Sequence, residues 1–406
     1  MIHRGRPTEL AGMSLESLRD KYHADLFDRY LPFCDRYAID HEIGGFMCTL
    51  DHDGTLANTD KNMWYQGRGL WVYSFLYNNF GGDQYLEIAR KVKDLICNHG
   101  HDGNGGWYGT LAKDGSAKSA VDDRGYTGLF IAEGLQEYHR ATGDRESLDL
   151  SKETLQQMLA TLENPNRDID EGYVPRSYPG MRTLGSHMVL ILILTQILSQ
   201  DNDEELEKLA GHVRENILDR FWNPEYGLTN EALTHDYERP DDENEDFIYL
   251  GHAMETLWMM LHEAIRLKDK TLFDLVAERF KRHVETAWDD VYGGVFRAMK
   301  VHGSYVFDKV LWAQEEVLIG TLILIEHTDD PWAVQWFGKM YQYVQDRFCL
   351  HGRGLPHYQT SGDRKVTFTP HVSRKENYHH PRHLMQNLLA LNRIIDRGGK
   401  RSTLWD

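Results

Sequence analysis

Basic tracts, paired cysteines and long apolar runs are all missing from this chain of 406 residues, and each absence narrows what it does. Lys and Arg total 45 against 63 Asp and Glu, a formal net charge of −18, and the basic residues nowhere cluster. Such a surface offers a polyanion no counter-charge, so nucleic acid and anionic membrane are excluded as partners. The four cysteines, Cys34, Cys48, Cys97 and Cys349, are scattered, with no CxxC pair and no dense framework. They read as reduced thiols. The opening Met1-Ile-His-Arg-Gly-Arg6 has no apolar signal core. The longest apolar run, Met188 to Leu194, is seven residues, far short of the roughly 20 that a bilayer demands. A soluble, cytoplasmic protein is expected. No Gly-rich phosphate loop and no HExxH pattern occurs, so nucleotide and zincin readings lack their usual footing.

Apolar residues are plentiful at 41%, and the ten Trp and 21 Tyr exceed what a core needs. Surplus aromatics of this kind line grooves for flat or ring-shaped ligands. A punctuation mark also recurs: an acidic or turn residue, one or two glycines with an aromatic, then a short strand-like run. It appears at Asp40-His-Glu-Ile-Gly-Gly-Phe46, Asp102-Gly-Asn-Gly-Gly-Trp107, Asp170-Glu-Gly-Tyr173, Asn223-Pro-Glu-Tyr-Gly227, Asp289-Asp-Val-Tyr-Gly-Gly294 and Gly352-Arg-Gly-Leu355, the last running to Ser361-Gly362. The marks lie 61, 67, 55, 66 and 61 residues apart, counted from glycine to glycine. That period denotes an array of supersecondary units. Two helical patterns fill each interval, such as Leu86–Cys97 and Leu129–Tyr138 about the second mark, or Leu206–Phe221 and Phe247–Leu261 about the fourth. Short hairpins suit the glycine marks. An open solenoid would need polar capping repeats, and none is seen. One domain spanning 1–406 is therefore expected: an all-α, (α/α)6 barrel of about twelve helices in two rings. Its inner helices should be apolar nearly all round, as His187-Met-Val-Leu-Ile-Leu-Ile-Leu-Thr195 is.

Polar residues on such helices are then the informative ones. Trp64, Arg68 and Trp71 share one helical face, and His252 and Glu255 share another. His187 opens the apolar run, and Asp308 to Glu316 brings Trp312, Gln314, Glu315 and Glu316. In Asn377-Tyr-His-His-Pro-Arg-His-Leu-Met385, three histidines and an arginine precede a helical pattern. Pro381 suits the first helical position there. His379 and His380 would then lie just outside the positive helix end, where imidazoles stay neutral more readily. Each group also has a structural reading, as a core histidine, a helix ion pair or a cap. Their shared offset from the marks nevertheless sends them to one barrel mouth. Imidazoles on opposite sides of a cavity suit removal of a proton from one face of a carbon and its return to the other. A cation such as Arg68 suits the developing enediolate. A glycoside hydrolase using Glu255, Glu315 and Glu316 stays open on the residues alone. So do a metal site on His379 and His383, spaced i, i+4, and a role in binding a protein partner.

The order Gly44-Gly-Phe46, Lys61-Asn-Met-Trp-Tyr-Gln-Gly-Arg68, Gly251-His-Ala-Met-Glu255 and Tyr378-His-His-Pro-Arg382 resembles the N-acylglucosamine 2-epimerase family, from about Leu26 to Ile395. That family includes cellobiose 2-epimerases, mannose 2-epimerases and aldose–ketose isomerases. The resemblance implies the same barrel and a proton transfer at C2 of a free aldose without metal or cofactor. His379 matches the histidine of the aromatic-His-x-Pro-Arg motif and His252 that of Gly-His-x-x-Glu. These two are the implied acid and base. Arg68 is implied to stabilise the enediolate, His187 to assist ring opening or bind hydroxyls, and Glu255 to polarise a histidine or hold the substrate. Trp64, Tyr126, Trp312, Glu316 and Arg382 are expected to touch the sugar. Leu311-Trp312 stands where the family often has a Trp pair, which leaves one aromatic wall looser. The expected partner is a small sugar, of mannose/glucose or N-acylhexosamine type, and a homodimer is compatible with the exposed outer helices. The runner-up is an aldose–ketose isomerase, in which one histidine moves the proton from C2 to C1.

Overall fold

Two kinds of helix alternate along the chain, and burial separates them. In the computed structural model, which describes residues 8–122, 125–167, 172–303, 305–359, 373–374 and 377–406, the first kind is α3 (Met63–Phe80), α5 (Tyr126–Thr142), α7 (Leu184–Leu198), α9 (Leu250–Leu267), α11 (Leu311–His327) and α13 (His379–Asp396). Every residue of α7 except Gln196 is buried, and every residue of α11 except Trp312 and His327. Helices apolar on all sides must touch neighbours on all sides. The second kind is α4 (Asp83–His99), α6 (Arg145–Leu162), α8 (Glu204–Glu215), α10 (Lys270–Ala287) and α12 (Pro331–Arg347), joined by α1 (Leu15–His23), which runs through a π-helical stretch into α2 (Leu31–Tyr37). These bury one stripe only. On α10 it is Phe273, Val276, Ala277, Phe280, Val284 and Ala287.

The consequence is a closed double ring. The inner helices pack in sequence order, α3 on α5 through to α11 on α13, and α13 returns to α3. The outer helices cover them, with α1 against α13. Most of the apolar core lies between the rings. Connections from inner to outer helix are two to five residues, and the outer helices α6, α8, α10 and α12 start on aspartate caps, Asp144, Asp203, Asp269 and Asp330. Each carboxylate accepts a backbone N–H that the first turn leaves over. Connections from outer to inner helix are long, and all of them gather at the other end. That end is the mouth.

The glycine marks sit at the start of these long loops. Asp40 N–H meets Gly45 O at 2.9 Å and Asp289 N–H meets Gly294 O at 2.8 Å, so the first and fifth repeats turn alike. Each turn is held from inside by a lysine and a glutamine twenty-odd residues on. Lys61 Nζ pairs with Asp40 (2.9 Å) and Lys309 Nζ with Asp289 (2.6 Å), both lysines fully buried. Gln66 clamps the amide and carbonyl of Phe46, and Gln314 those of Val295. Burial alone would raise the Asp289 pKa, but the Lys309 ammonium and two backbone N–H groups hold it below the usual carboxylate range.

Short hairpins form at the marks and the turns after them: Trp222–Asn223 pairs with Leu228–Thr229 and Ala298–Lys300 with Tyr305–Val306, and single bridges join Ile39 to Phe46, His101 to Trp107 and Trp288 to Val295. Other strands join one long loop to the next: Lys61–Asn62 pairs with Thr110–Leu111, Arg182–Thr183 with Ala232–Leu233, and Thr49–Leu50 with Ser373–Arg374. Loop-to-loop pairing satisfies backbone groups that a crowded mouth shields from water. Two local expectations need correction. Phe247 and Ile248 form a strand against Met299 and Lys300 instead of starting α9. Helix α13 begins at His379, so Pro381 is its third residue, not its first. The first-turn N–H groups have no partner within the helix anyway, so proline costs nothing there. Residues Asp170, Glu171, Ser361 and Gly362 of the third and sixth marks lie outside the described residues. No helix among the described residues is long and apolar enough to cross a membrane.

Candidate active site

Each inner helix presents its first turns to the mouth, and those turns carry the unusual residues. Around the ring stand Trp64 and Arg68 from α3, Tyr126 and Phe130 from α5, Gly185 from α7, His252 from α9, Trp312 from α11, and Tyr378 and His379 from the start of α13. Neighbours touch. Trp64 lies 6.0 Å from Tyr126 and stacks on Phe130 at 5.9 Å, while Trp312 lies 5.9 Å from His252 and 5.2 Å from His379, centroid to centroid. Two glycines let the walls approach. A Cβ on Gly185 would come within 2.1 Å of Tyr126 Oη and 3.1 Å of His252 Cε1, and one on Gly251 within 2.4 Å of Trp312. Trp64, Tyr126 and Trp312 are all half-buried.

The two histidines are built alike. His379 Nδ1 lies 2.8 Å from Glu316 Oε1, and His252 Nδ1 lies 3.2 Å from Glu231 Oε1. A carboxylate only accepts, so in each ring Nδ1 carries the proton and Nε2 becomes the basic nitrogen. Arg382 Nη2 also comes within 3.1 Å of His379 Nδ1, but the shorter carboxylate contact sets the tautomer. The rings are steadied by aromatics: His252 by Tyr249 at 4.2 Å and Tyr173 at 5.2 Å, His379 by Trp312.

Behind His379 is a fully buried strut. Arg382 Nη2 donates to Glu255 Oε1 at 2.6 Å and to Glu316 Oε1 at 2.7 Å, and Glu316 also accepts the Trp258 indole N–H. Burial raises the Glu316 pKa, opposed by the Arg382 charge and the Trp258 hydrogen bond. Two carboxylates this close are tolerable only with the guanidinium between them. Arg68 is boxed by aromatic faces, 4.1 Å from Phe130 and 4.6 Å from both Trp64 and Tyr378. Its positive field also acts on the buried carboxylates Glu133 and Glu316.

Several expectations are corrected by these contacts. Glu316 and Arg382 are fully buried and turned to each other, Glu255 and Trp258, where they act as internal supports. Glu255 shares α9 with His252, yet its carboxylate faces Arg382 and sits 3.7 Å from His379 Nδ1. His187 leaves the site altogether. Gly185 faces the mouth, and two residues on along a helix the chain points the other way. Its Nδ1 meets Thr183 O at 3.0 Å, its Nε2 meets Tyr237 Oη at 3.1 Å, and it lines a separate small cavity with Leu159, Leu162, Glu163, Arg182 and Tyr237. Burial depresses its pKa to about 4, so it stays neutral. The chelating pair His379 and His383 is split as well. His379 turns to Glu316, whereas His380 and His383 both turn their Nδ1 to Glu315 Oε1, at 2.5 and 3.2 Å. Glu315 with His380 and His383, and Glu255 with Glu316 and His379, each have donor atoms close enough for an ion. In the second set Arg382 already supplies the positive charge.

Glu231, Glu133 and Phe130 escaped the sequence reading, and Tyr378 was read only as the aromatic residue of its motif. Glu231 sits in a loop with no spacing to tie it to His252, so no local signal marks it. Glu133 could have been found, being a buried acid set between the apolar residues Phe130-Ile-Ala and Gly-Leu135 of an inner helix.

A family model described as N-acylglucosamine 2-epimerase (GlcNAc 2-epimerase) matches residues 44–382. The bovine N-acylglucosamine 2-epimerase is 23% identical over 96% of this chain and 95% of its own length. A cellobiose 2-epimerase from Bacteroides fragilis is 24% identical over 83% and 90%. Among solved structures, the cellobiose 2-epimerase of Spirochaeta thermophila superposes with a TM-score of 0.79 at 19% identity, covering 94% of this chain and 98% of that one. A D-mannose isomerase gives 0.75 at 16%, covering 93% and 97%. A GH76 α-mannanase from Bacteroides thetaiotaomicron gives 0.61 at 11%, covering 94% and 97%, so the fold by itself does not choose between isomerases and hydrolases.

Proposed function

We propose, from the premise that the chain belongs to the N-acylglucosamine 2-epimerase family, that it is a sugar isomerase interconverting the C2 epimers of a free aldose. The observation that carries this reading is the pair of imidazoles, His252 and His379, each with Nδ1 on a buried carboxylate and each touching the same Trp312. After the sugar ring opens, the C1 carbonyl acidifies the C2 hydrogen. Nε2 of one histidine takes that proton, the C2–H electron pair becomes the C1–C2 double bond, and negative charge collects on O1. Arg68 stabilises that charge. The opposite histidine, which begins the cycle as an imidazolium, gives its Nε2 proton to the other face of C2. Electrons flow back from O1 and restore the aldehyde. Trp64, Tyr126 and Trp312 supply flat faces for the sugar carbons.

The test is incubation with mannose, glucose, N-acetylmannosamine and cellobiose in heavy water, following the C1 and C2 protons by NMR. Deuterium at C2 with inverted configuration in at least one sugar is expected. A ketose product would move the assignment to aldose–ketose isomerisation, and no exchange with any of them would overturn proton transfer altogether.

Glu231 gives a sharper expectation. With no exposed surface, its Oε1 accepts from His252 Nδ1, from the Gly185 N–H at 3.3 Å and from Tyr173 Oη at 3.2 Å. Glutamine keeps the shape but removes the charge that supports an imidazolium. Glu231→Gln should lower kcat roughly 10²-fold, the low end of what a positioned acid–base group contributes. KM should change little, because Glu231 touches the histidine and not the sugar. A variant with unchanged kcat would remove His252 from the mechanism.

A further inference from the structure

Tyr378 precedes His379 and carries two cations. The Cζ of Arg68 lies 4.6 Å and that of Arg382 4.5 Å from its ring centroid. Its hydroxyl donates to both oxygens of Glu133, at 2.8 and 3.0 Å. Glu133 has no exposed surface and is set in the apolar sequence Phe130-Ile-Ala-Glu-Gly-Leu135 of α5. The groups facing it are Arg68 from α3, Gln196 from α7 at 3.4 Å, and Tyr378 and Arg382 from α13 and its cap. Gln196 is in turn fixed by the Trp71 indole N–H at 3.1 Å.

Resting on the 2-epimerase reading, we propose that Glu133 is a positioning residue of the reaction, acting through the Tyr378 phenol on both arginines. A phenol that donates to a carboxylate gains electron density in its ring, and an electron-rich ring holds a guanidinium more firmly. Arg68 is thereby fixed where the enediolate charge develops, and Arg382 where it orders the carboxylates behind His379.

The energetics favour function over packing. Burial raises the Glu133 pKa to about 7, against the Tyr378 hydrogen bond and the charges of Arg382 and Arg68. In the unfolded chain a glutamate ionises near 4.5. Between these values the folded protein holds a proton that the unfolded chain has lost, so stability falls as pH rises through that window. A carboxylate whose ionisation opposes folding is not there to stabilise the fold. Glutamine would fill the same space without that penalty.

The experiment compares wild type, Glu133→Gln and Tyr378→Phe by kcat and KM from about pH 5 to about pH 9 and by thermal midpoint over the same range. Wild type must first exchange the C2 hydrogen. If it does not, the 2-epimerase reading fails, and the melting series alone still reports the ionisation of Glu133. For Glu133→Gln we expect kcat about tenfold lower above neutrality, as two weakened cation–π contacts allow, with KM nearly constant. The acid limb of log kcat should be shallower by the one ionisation of Glu133 in Glu133→Gln and in Tyr378→Phe than in wild type. The thermal midpoint of Glu133→Gln should gain on wild type as pH rises. An acid limb of unchanged slope in both variants, or a midpoint difference independent of pH, overturns the proposal and leaves Glu133 a packing residue.

Discussion

His379→Asn is expected to abolish epimerisation while leaving hydrogen exchange at C2 of one epimer intact. With two bases, each histidine removes the proton of one epimer and protonates the opposite face. Removing His379 leaves His252 able to take its proton and return a deuteron to the same face. Heavy-water NMR should then show deuterium entering one sugar without inversion, and His252→Asn should show the mirror pattern on the other epimer. Inversion should fall by roughly 10²- to 10⁴-fold in each, the range for loss of a general acid–base group. Neither change should threaten the fold. Glu316 keeps Arg382 and Trp258 when His379 is gone, and Glu231 keeps the Gly185 N–H and Tyr173 when His252 is gone. The complementary exchange patterns are the discriminating result. If His379→Asn alone is inactive and His252→Asn still works, a single base serves and the isomerase reading takes over. If both variants still invert C2, neither histidine is the base.

The barrel was legible because its grammar is local. Glycine marks at intervals of 55 to 67 residues and helices apolar on all sides can each be read within a few residues. The side chains that reach the mouth were legible for the same reason: His252, His379, Arg68, Trp64 and Trp312 all occupy first turns of inner helices. Their partners were not. Glu231 meets His252 from 21 residues away, Glu133 meets Tyr378 from 245 residues away, and Arg382 joins Glu255 to Glu316 from two other helices. Such contacts depend on how rings of helices pack, which no spacing rule encodes. His187 shows the opposite failure. It sits in the right turn of the right helix, but two positions past Gly185 its buried ring turns away from the mouth, and only the approach of Gly185 to Tyr126 and His252 reveals which face is inward. The proline at the third position of α13 misled for a similar reason, since any first-turn position accepts it.

The largest effect on stability is expected at Arg382. Its guanidinium is fully buried and lies between two carboxylates that are themselves almost without exposure. In Arg382→Met the aliphatic stem is roughly preserved, but Glu255 and Glu316 then face each other with no cation between them. Breaking a buried pair by removing one partner costs about 3–5 kcal/mol, because the remaining charge is left desolvated. Here two charges are left. The cost should depend on pH with a definite sign. Two uncompensated buried carboxylates bind a proton more tightly than in the unfolded chain, so the deficit is largest above neutrality and shrinks as pH falls toward the ordinary glutamate range. Urea midpoints at about pH 8 and about pH 5.5 measure it directly. Arg382→Lys should recover only part of the loss, since a point charge on a shorter reach cannot bridge both oxygens as one planar guanidinium does. A sugar-binding arginine would behave otherwise: its loss would raise KM and leave the midpoint nearly unmoved at either pH. A large, pH-dependent fall in stability identifies Arg382 as the strut that allows two acids to stand behind one catalytic histidine.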